Sequence, residues 1–493
     1  MEDTEARGGD RDWLTPRGAR GIVALLVCVK LAATVWDCVT FDAQPYDAPK
    51  HLRRAAAGGL EIGALSYDPP LYYLPASGFA AVKSERWRPG QRAARREQQQ
   101  QAGQRRQHGL TSPLLDFLRY TNIVYLGAFY LLWIYGVLPR VLPDWRCRTL
   151  AAMLLLALPG YQKLGVMPHP DNLHVALAAL CTFVWVRMPG VGATPESSPT
   201  APTARSNLAL ALVSGLSGLT RPFAAATVAT FAAANVAHLW LRRNGSAAAF
   251  VRRASLVLLL TGVIAGSWFA ARGLAGGTWR EAYPKGYIEQ FDRRGFDYGH
   301  YLTTFYFGEL LLVPNRQIAR LDSDHWEKKG YVATNRYANS FFTTLYSETW
   351  GDHWLYFSGP NGHDLKVMVK RVIFVVALPL VPLLLLRFGS TAVALARNAR
   401  QQGVAVALDP AAALFVHFVA GATLFLWWQL GSSLSPGKQS SIKFIYSAYL
   451  FAPAVTLCFT TAIAPRRANA WVAYLLVLFM AALPMAVFVP RSW

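Results

Sequence analysis

The chain has 493 residues, 53% of them hydrophobic and only 16% charged, and a formal net charge of +21 at pH 7. A soluble chain carries nearer a quarter charged residues, and several uncharged runs here reach bilayer-spanning length. A string of soluble domains is excluded, and an all-α polytopic membrane protein is expected. The positive charge suits basic loops at an anionic membrane face, or a site for an anionic substrate such as a lipid phosphate. Because the basic residues are scattered between apolar segments, no nucleic-acid partner is expected.

Residues 1–20 form a polar tail with Arg7, Arg11, Arg17 and Arg20, which the positive-inside bias puts in the cytosol. Glu2, Asp3 and Glu5 do not suit a cleavable signal peptide. The first apolar run, Gly21 to Cys38, is therefore read as a retained helix. A first external loop, 39–118, follows. It holds Phe41-Asp42-Ala43-Gln44-Pro45-Tyr46-Asp47-Ala48-Pro49-Lys50-His51 and Asp68-Pro69-Pro70-Leu71-Tyr72-Tyr73. Such a knot of acids, bases and aromatics beside a membrane is where chemistry is expected. The apolar stretch Leu71 to Val82 is only about a dozen residues, too short to cross, and reads as a juxtamembrane helix in the interface. The Arg- and Gln-rich stretch from Lys83 to His108 reads as solvated; its charge favours the cytosol, the helix count the opposite side.

Further spans are expected near Asn122–Leu138, Leu150–Leu164, Leu173–Val186, Leu208–Leu219, Phe223–Leu241 and Leu256–Ala270. Basic turns at Arg140–Arg148 and Arg242–Arg253 separate some of them. Residues 21–272 make up an N-terminal transmembrane module and 273–366 a large external loop. Residues 367–493 supply C-terminal spans near Val367–Leu386, Ala411–Leu430, Phe444–Thr461 and Trp471–Phe488. The bundle has about 11 crossings. Their parity puts Asp42, Asp47, Asp68, His169, Asp171, Arg221, Arg272, the large loop and Lys443 on one side.

Each of these residues has a structural reading beside a chemical one. Asp47 and His51 share a face if the chain is helical from Ala48. Asp47 is then either an N-cap with Pro49 in the first turn, or a general base for an attacking hydroxyl. Asp68-Pro69-Pro70-Leu71-Tyr72 is either a turn into an aromatic interfacial helix or a platform for an acceptor or lipid head group. Asp171, in His169-Pro170-Asp171-Asn172, caps the next helix or serves as a second carboxylate. Arg221, at a Pro hinge, and Lys443, at the start of an apolar run, snorkel or hold a phosphate. Arg272 has the same choice, with an interfacial anchor as its structural reading. Trp350 and Asp352 lie in the densest polar–aromatic patch of the large loop, where ring faces suit a sugar. The five cysteines have no metal or disulfide spacing. No metal or other cofactor is expected.

These residues, in this order, resemble the GT-C superfamily of polytopic glycosyltransferases, which includes protein O-mannosyltransferases and aminoarabinose transferases. Asp47 and His51 match an Asp-Glu-x-x-His motif, with Ala48 replacing the second acid and Asp42 as a substitute. Asp68 to Tyr73 resembles a Pro-Pro-Leu-Tyr turn. His169-Pro170-Asp171 resembles a later external Asp, and Thr220-Arg221-Pro222 a Thr-Lys/Arg-Pro segment. Trp268 to Arg272 is similar to a Trp-Trp/Phe-x-x-Arg-Asn motif, with Gly273 in place of the Asn, and Lys443-Phe444-Ile445-Tyr446 to a basic-Phe-x-Tyr signature. The resemblance implies a GT-C-like fold and a polyprenyl- or dolichyl-phosphate sugar donor. It also implies transfer of a hexosyl or pentosyl group to a lipid, glycan or protein hydroxyl, on the lumenal or periplasmic side. Asp47, Asp42 or Asp171 is then the carboxylate of the reaction. His51, Asp68, Tyr72, His169, Arg221, Arg272, Trp350, Asp352, Lys443 and Tyr446 line the substrates. The membrane is that of the ER in a eukaryote and the cytoplasmic membrane in a bacterium. The rival classes are a lipid or solute transporter and a non-catalytic lipid-binding subunit. A transporter predicts charges near the bilayer midplane and broken helices, whereas the polar groups here read as lying at span ends.

Overall fold

The computed structural model describes residues 15–40, 51–52, 54–55, 70–84, 113–188, 204–220, 224–241, 246–274, 372–402, 452–459 and 468–483, with single positions and pairs between 299 and 422. Among the described residues every regular element is helical. The helices are α1 (Pro16–Thr40), α2 (Leu74–Ser84), α3 (Pro113–Leu131), α4 (Leu138–Val141), α5 (Trp145–Ala157) and α6 (Pro159–Val166). They continue as α7 (Asp171–Val186), α8 (Ala204–Gly218), α9 (Ala225–Leu241), α10 (Ala247–Leu274), α11 (Leu380–Gln402) and α12 (Ala468–Ala482). A π-helical turn, Leu132–Val137, joins α3 to α4.

Four described helices are long and apolar enough to cross a membrane: 16–39, 113–141, 247–274 and 372–398. A fifth arises if α5 and α6, bent by 55°, form one span. The sequence predicts a continuous helix over Leu150–Leu164, and the break has a local cause. Pro159 cannot donate to the helix ladder and disfavours helical backbone at the residue before it, and Leu158 is extended, with ψ at 116°. The span expected over Leu256–Ala270 is longer at both ends, because the Ala-rich start of α10 and its apolar end extend the same helix. The stretch expected in the interface forms the short helix α2.

The core is built around α5, whose residues from Thr149 to Ala157 are all buried. A helix apolar on every side must be covered on every side. It packs against α1 and against α12 from the far end of the chain. Asp144 starts it as an N-cap, its carboxylate accepting from the Arg146 backbone N–H at 2.9 Å. By contrast α10 and α11 turn large apolar side chains outward, Leu259 at 64% exposure and Leu386 at 72%. In water such surfaces would be liabilities; facing lipid they are the expected exterior of a multi-pass membrane protein.

Small residues bring α8 and α10 together. A Cβ added at Gly215 would come within 2.8 Å of Ile264 Cβ, and one at Gly218 within 2.6 Å of Ala265 Cβ. Close backbone approach through small residues is how helices associate where lipid supplies no hydrophobic drive. Gly218→Leu is expected to destabilise the bundle by about 1–3 kcal/mol through overpacking, read as a lowered Tm in detergent. The Thr261 hydroxyl donates to the Ala211 carbonyl at 3.3 Å. The pairs 211–261, 215–264 and 218–265 advance together, so α8 and α10 run parallel.

Candidate functional site

One end of the bundle gathers the polar residues. It is formed by the end of α1, the start of α3, the α6–α7 junction, the α8–α9 junction and the turn at residues 70–73. Arg119 of α3 donates to the Cys38 carbonyl at 3.1 Å, a carbonyl in the last turn of α1, where helix carbonyls call for outside donors. The Tyr73 N–H donates to the Pro70 carbonyl at 2.8 Å, closing the turn that the proline pair begins. Tyr72 and Tyr73 are both fully buried, in a small apolar cluster with Ala55, Ala76 and Leu118.

From this turn Tyr72 donates to Asn122 Oδ1 at 3.0 Å. Asn122 in turn donates to the Met167 carbonyl at 2.5 Å, and Asn172 donates to the Met167 and His169 carbonyls at 3.0 and 3.1 Å. Burial holds the Tyr72 phenol well above its ordinary range, against the pull of its bond to Asn122. It therefore remains a neutral donor.

Next to this network lies the ionisable pair of the site. The Asp171 carboxylate lies 2.5 Å from His169 Nδ1, and both residues are buried. The N-cap of α7 is Pro170, without a side-chain bond. Asp171 thus stands in the first turn, where the helix dipole favours its charge, and its carboxylate is turned to the imidazole. The ring of His169 meets His51 edge to face, centroids 4.7 Å apart. His51 Nδ1 is 2.6 Å from the Tyr73 hydroxyl, and the Arg54 guanidinium stands 4.9 Å from the centre of the Tyr73 ring. The structure therefore brings together four sequence-predicted residues, His51, Tyr72, His169 and Asp171, from segments more than a hundred positions apart.

Arg272 is buried in the last turn of α10 with Trp268 one turn before it. Since α8 and α10 run parallel, Arg272 lies about 10 Å beyond Ala265 in the direction of the site end. Trp350 is 2% exposed and belongs to the main apolar cluster, a core position. Asp42, Asp47, Asp68, Arg221, Asp352, Lys443 and Tyr446 lie outside the described residues. Among the described residues no three His, Cys, Asp or Glu side chains are grouped to hold a metal ion. All five cysteines are free thiols.

Two polar groups were not foreseen from the sequence. Lys30 sits midway along α1 at 0% exposure, and its Nζ has no hydrogen-bond partner among the described residues. Two turns on, Asp37 accepts from Gln162 Nε2 of α6 at 2.9 Å. This corrects the reading that charged residues stand only at span ends. Charged residues inside an apolar run were the available signal. The second group is His174, which faces hydroxyls of Ser217, Thr220 and Thr227.

No known family pattern matches the chain, and no curated protein matches it. Among solved structures it is similar to ArnT from Cupriavidus metallidurans bound to undecaprenyl phosphate, with a TM-score of 0.39 and 15% identity, covering 91% of this chain and 89% of that one. The apo state of the same protein gives a TM-score of 0.35 and 13% identity, covering 87% and 84%. The likeness is coarse.

Proposed function

We propose that the protein is a GT-C-type membrane glycosyltransferase. It moves a sugar from a polyprenyl- or dolichyl-phosphate donor to an acceptor hydroxyl, with inversion, on the lumenal or periplasmic side. The observation that carries this reading is the meeting of the first-loop residues His51 and Tyr72 with His169 and Asp171 in one buried cluster at an end of a membrane bundle. The same residues, in the same order, carry the superfamily resemblance.

The chemistry is economical in its needs. A phosphate leaving group departs without protonation, so cations and N–H donors suffice on that side. One carboxylate must take the proton from the acceptor hydroxyl as it attacks the anomeric carbon. Asp47, four residues before His51, is the assigned base, with Asp42 as the alternative. Asp171 holds His169, and through its ring the His51 segment, in place. Arg221, Arg272 and Lys443 are assigned to the donor phosphate. Trp350 is withdrawn from the sugar site, because its face is packed in the core. The test is to incubate the purified protein with a panel of polyprenyl-phosphate sugars and follow donor consumption by mass spectrometry. Consumption of none of them, by folded protein supplied with acceptor extracts, ends the reading.

A transporter is the second reading, and one observation favours it: a buried lysine midway along α1 beside a bent helix pair. Lys30→Met separates the two. Loss of lipid translocation in proteoliposomes, with no sugar transfer by the wild type, supports transport. Unchanged sugar transfer in the variant supports the enzyme.

A further inference from the structure

We infer that His174 is a positioning residue which ties the turn before Arg221 to the helix of Asp171. The inference rests on the transferase reading for its kinetic consequence, but not for its geometry. His174 stands on α7, one turn past Asp171, and is buried. Its Nδ1 lies 3.2 Å from Ser217 Oγ and 3.3 Å from Thr220 Oγ1, and its Nε2 lies 3.3 Å from Thr227 Oγ1. One imidazole thus joins the end of α8, the turn after it and the start of α9 to α7.

Thr220 already spends its hydroxyl proton on the Ser217 carbonyl, at 2.6 Å. Toward the imidazole its oxygen therefore acts only as an acceptor, while the Ser217 hydroxyl can donate to Nδ1 or accept from it. The Thr227 hydroxyl meets Nε2 on the opposite edge of the ring. The same turn is held from a third side, since the Leu71 backbone N–H donates to the Leu219 carbonyl at 3.3 Å. The polar turn 217–220 is therefore clamped between the Asp171 helix and the Tyr72 turn. The next residue in the chain, Arg221, is the basic group assigned to the donor phosphate. A group that sets where Arg221 starts from acts on donor binding, without touching the donor.

Three substitutions separate this role from simple space filling. The variant His174→Asn keeps a polar amide, donor and acceptor together, near the place of Nδ1. Gln carries its amide out toward Thr227, and Leu keeps only bulk. With full-length protein in nanodiscs and a polyprenyl-phosphate sugar as substrate, His174→Gln and His174→Leu are expected to raise KM for the lipid donor about tenfold. They leave kcat within about threefold, and His174→Asn restores KM to within about threefold of the wild type. A second readout needs no turnover. Cysteines placed at Leu71 and Leu219 are expected to cross-link readily in the wild type and the Asn variant, and several-fold more slowly in the Gln and Leu variants. Equal KM values and equal cross-linking across all three variants overturn the inference. Failure of the wild type to consume any polyprenyl-phosphate sugar, with the cross-linking pattern intact, counts against the transferase reading alone.

Discussion

Asp47→Asn is expected to remove sugar transfer about a thousandfold while leaving the fold and the affinity for a polyprenyl phosphate unchanged. Asn has nearly the shape of Asp and can keep an N-cap bond, but it cannot take a proton. The change thus distinguishes a base from a capping residue. The residue lies outside the described residues, yet His51, four positions on, is among them. His51 is anchored by its 2.6 Å contact to Tyr73 and its packing on His169, and four residues of fully extended chain span at most about 14 Å. Initial rates by mass spectrometry, with Tm and lipid-phosphate Kd measured on the same preparation, check the result. Activity kept in Asp47→Asn but lost in Asp42→Asn moves the base to Asp42. Activity kept in both single variants and in the double variant leaves the first loop without its assigned chemistry.

Asp171→Ala is the second large effect, and it acts on stability and rate together. The carboxylate and its imidazole partner are buried 2.5 Å apart. Removal of one partner leaves the other without its charge-assisted bond, at a cost of about 2–3 kcal/mol. His169 then loses the group that fixes its ring, and with it the edge that supports His51. A lowered Tm is expected together with a loss of transfer larger than the unfolded fraction explains. Asp171→Asn, which keeps an acceptor for the imidazole N–H, is expected to recover most of the stability. If Asp171→Ala instead unfolds at the wild-type temperature with full activity, the pair is an ornament of the α6–α7 junction.

Much of this architecture is written in local signals. The Pro-Pro pair before Leu71 dictates a turn, and the turn is there with both tyrosines turned inward. The short apolar run after it gives α2, and Pro170 with Asp171 begins α7. What escaped local reading depends on lateral neighbours. Lys30 is one polar residue in a long apolar run, and average hydropathy passes over it. Its meaning comes from Phe479 of α12, whose ring centre lies 5.9 Å from Nζ, hundreds of positions away. His174 alone looks like a satisfied helix residue; only the packing of α8 and α9 on α7 brings three hydroxyls to it. Pro159 carried a visible signal for a break, but the apolar residues on both sides outweighed it.

The central helix α5 has a consequence for how the protein is made. It leaves the ribosome early, apolar on every side, while α12, which covers one of its flanks, is synthesised some three hundred residues later. In the interval, acyl chains must stand in for the missing neighbour, and the apolar run Leu150–Ala157 lets them do so at little cost. Completion of the core is therefore a post-translational docking step, and chains that stop before residue 468 keep that flank in the bilayer, where membrane quality-control proteases can find it.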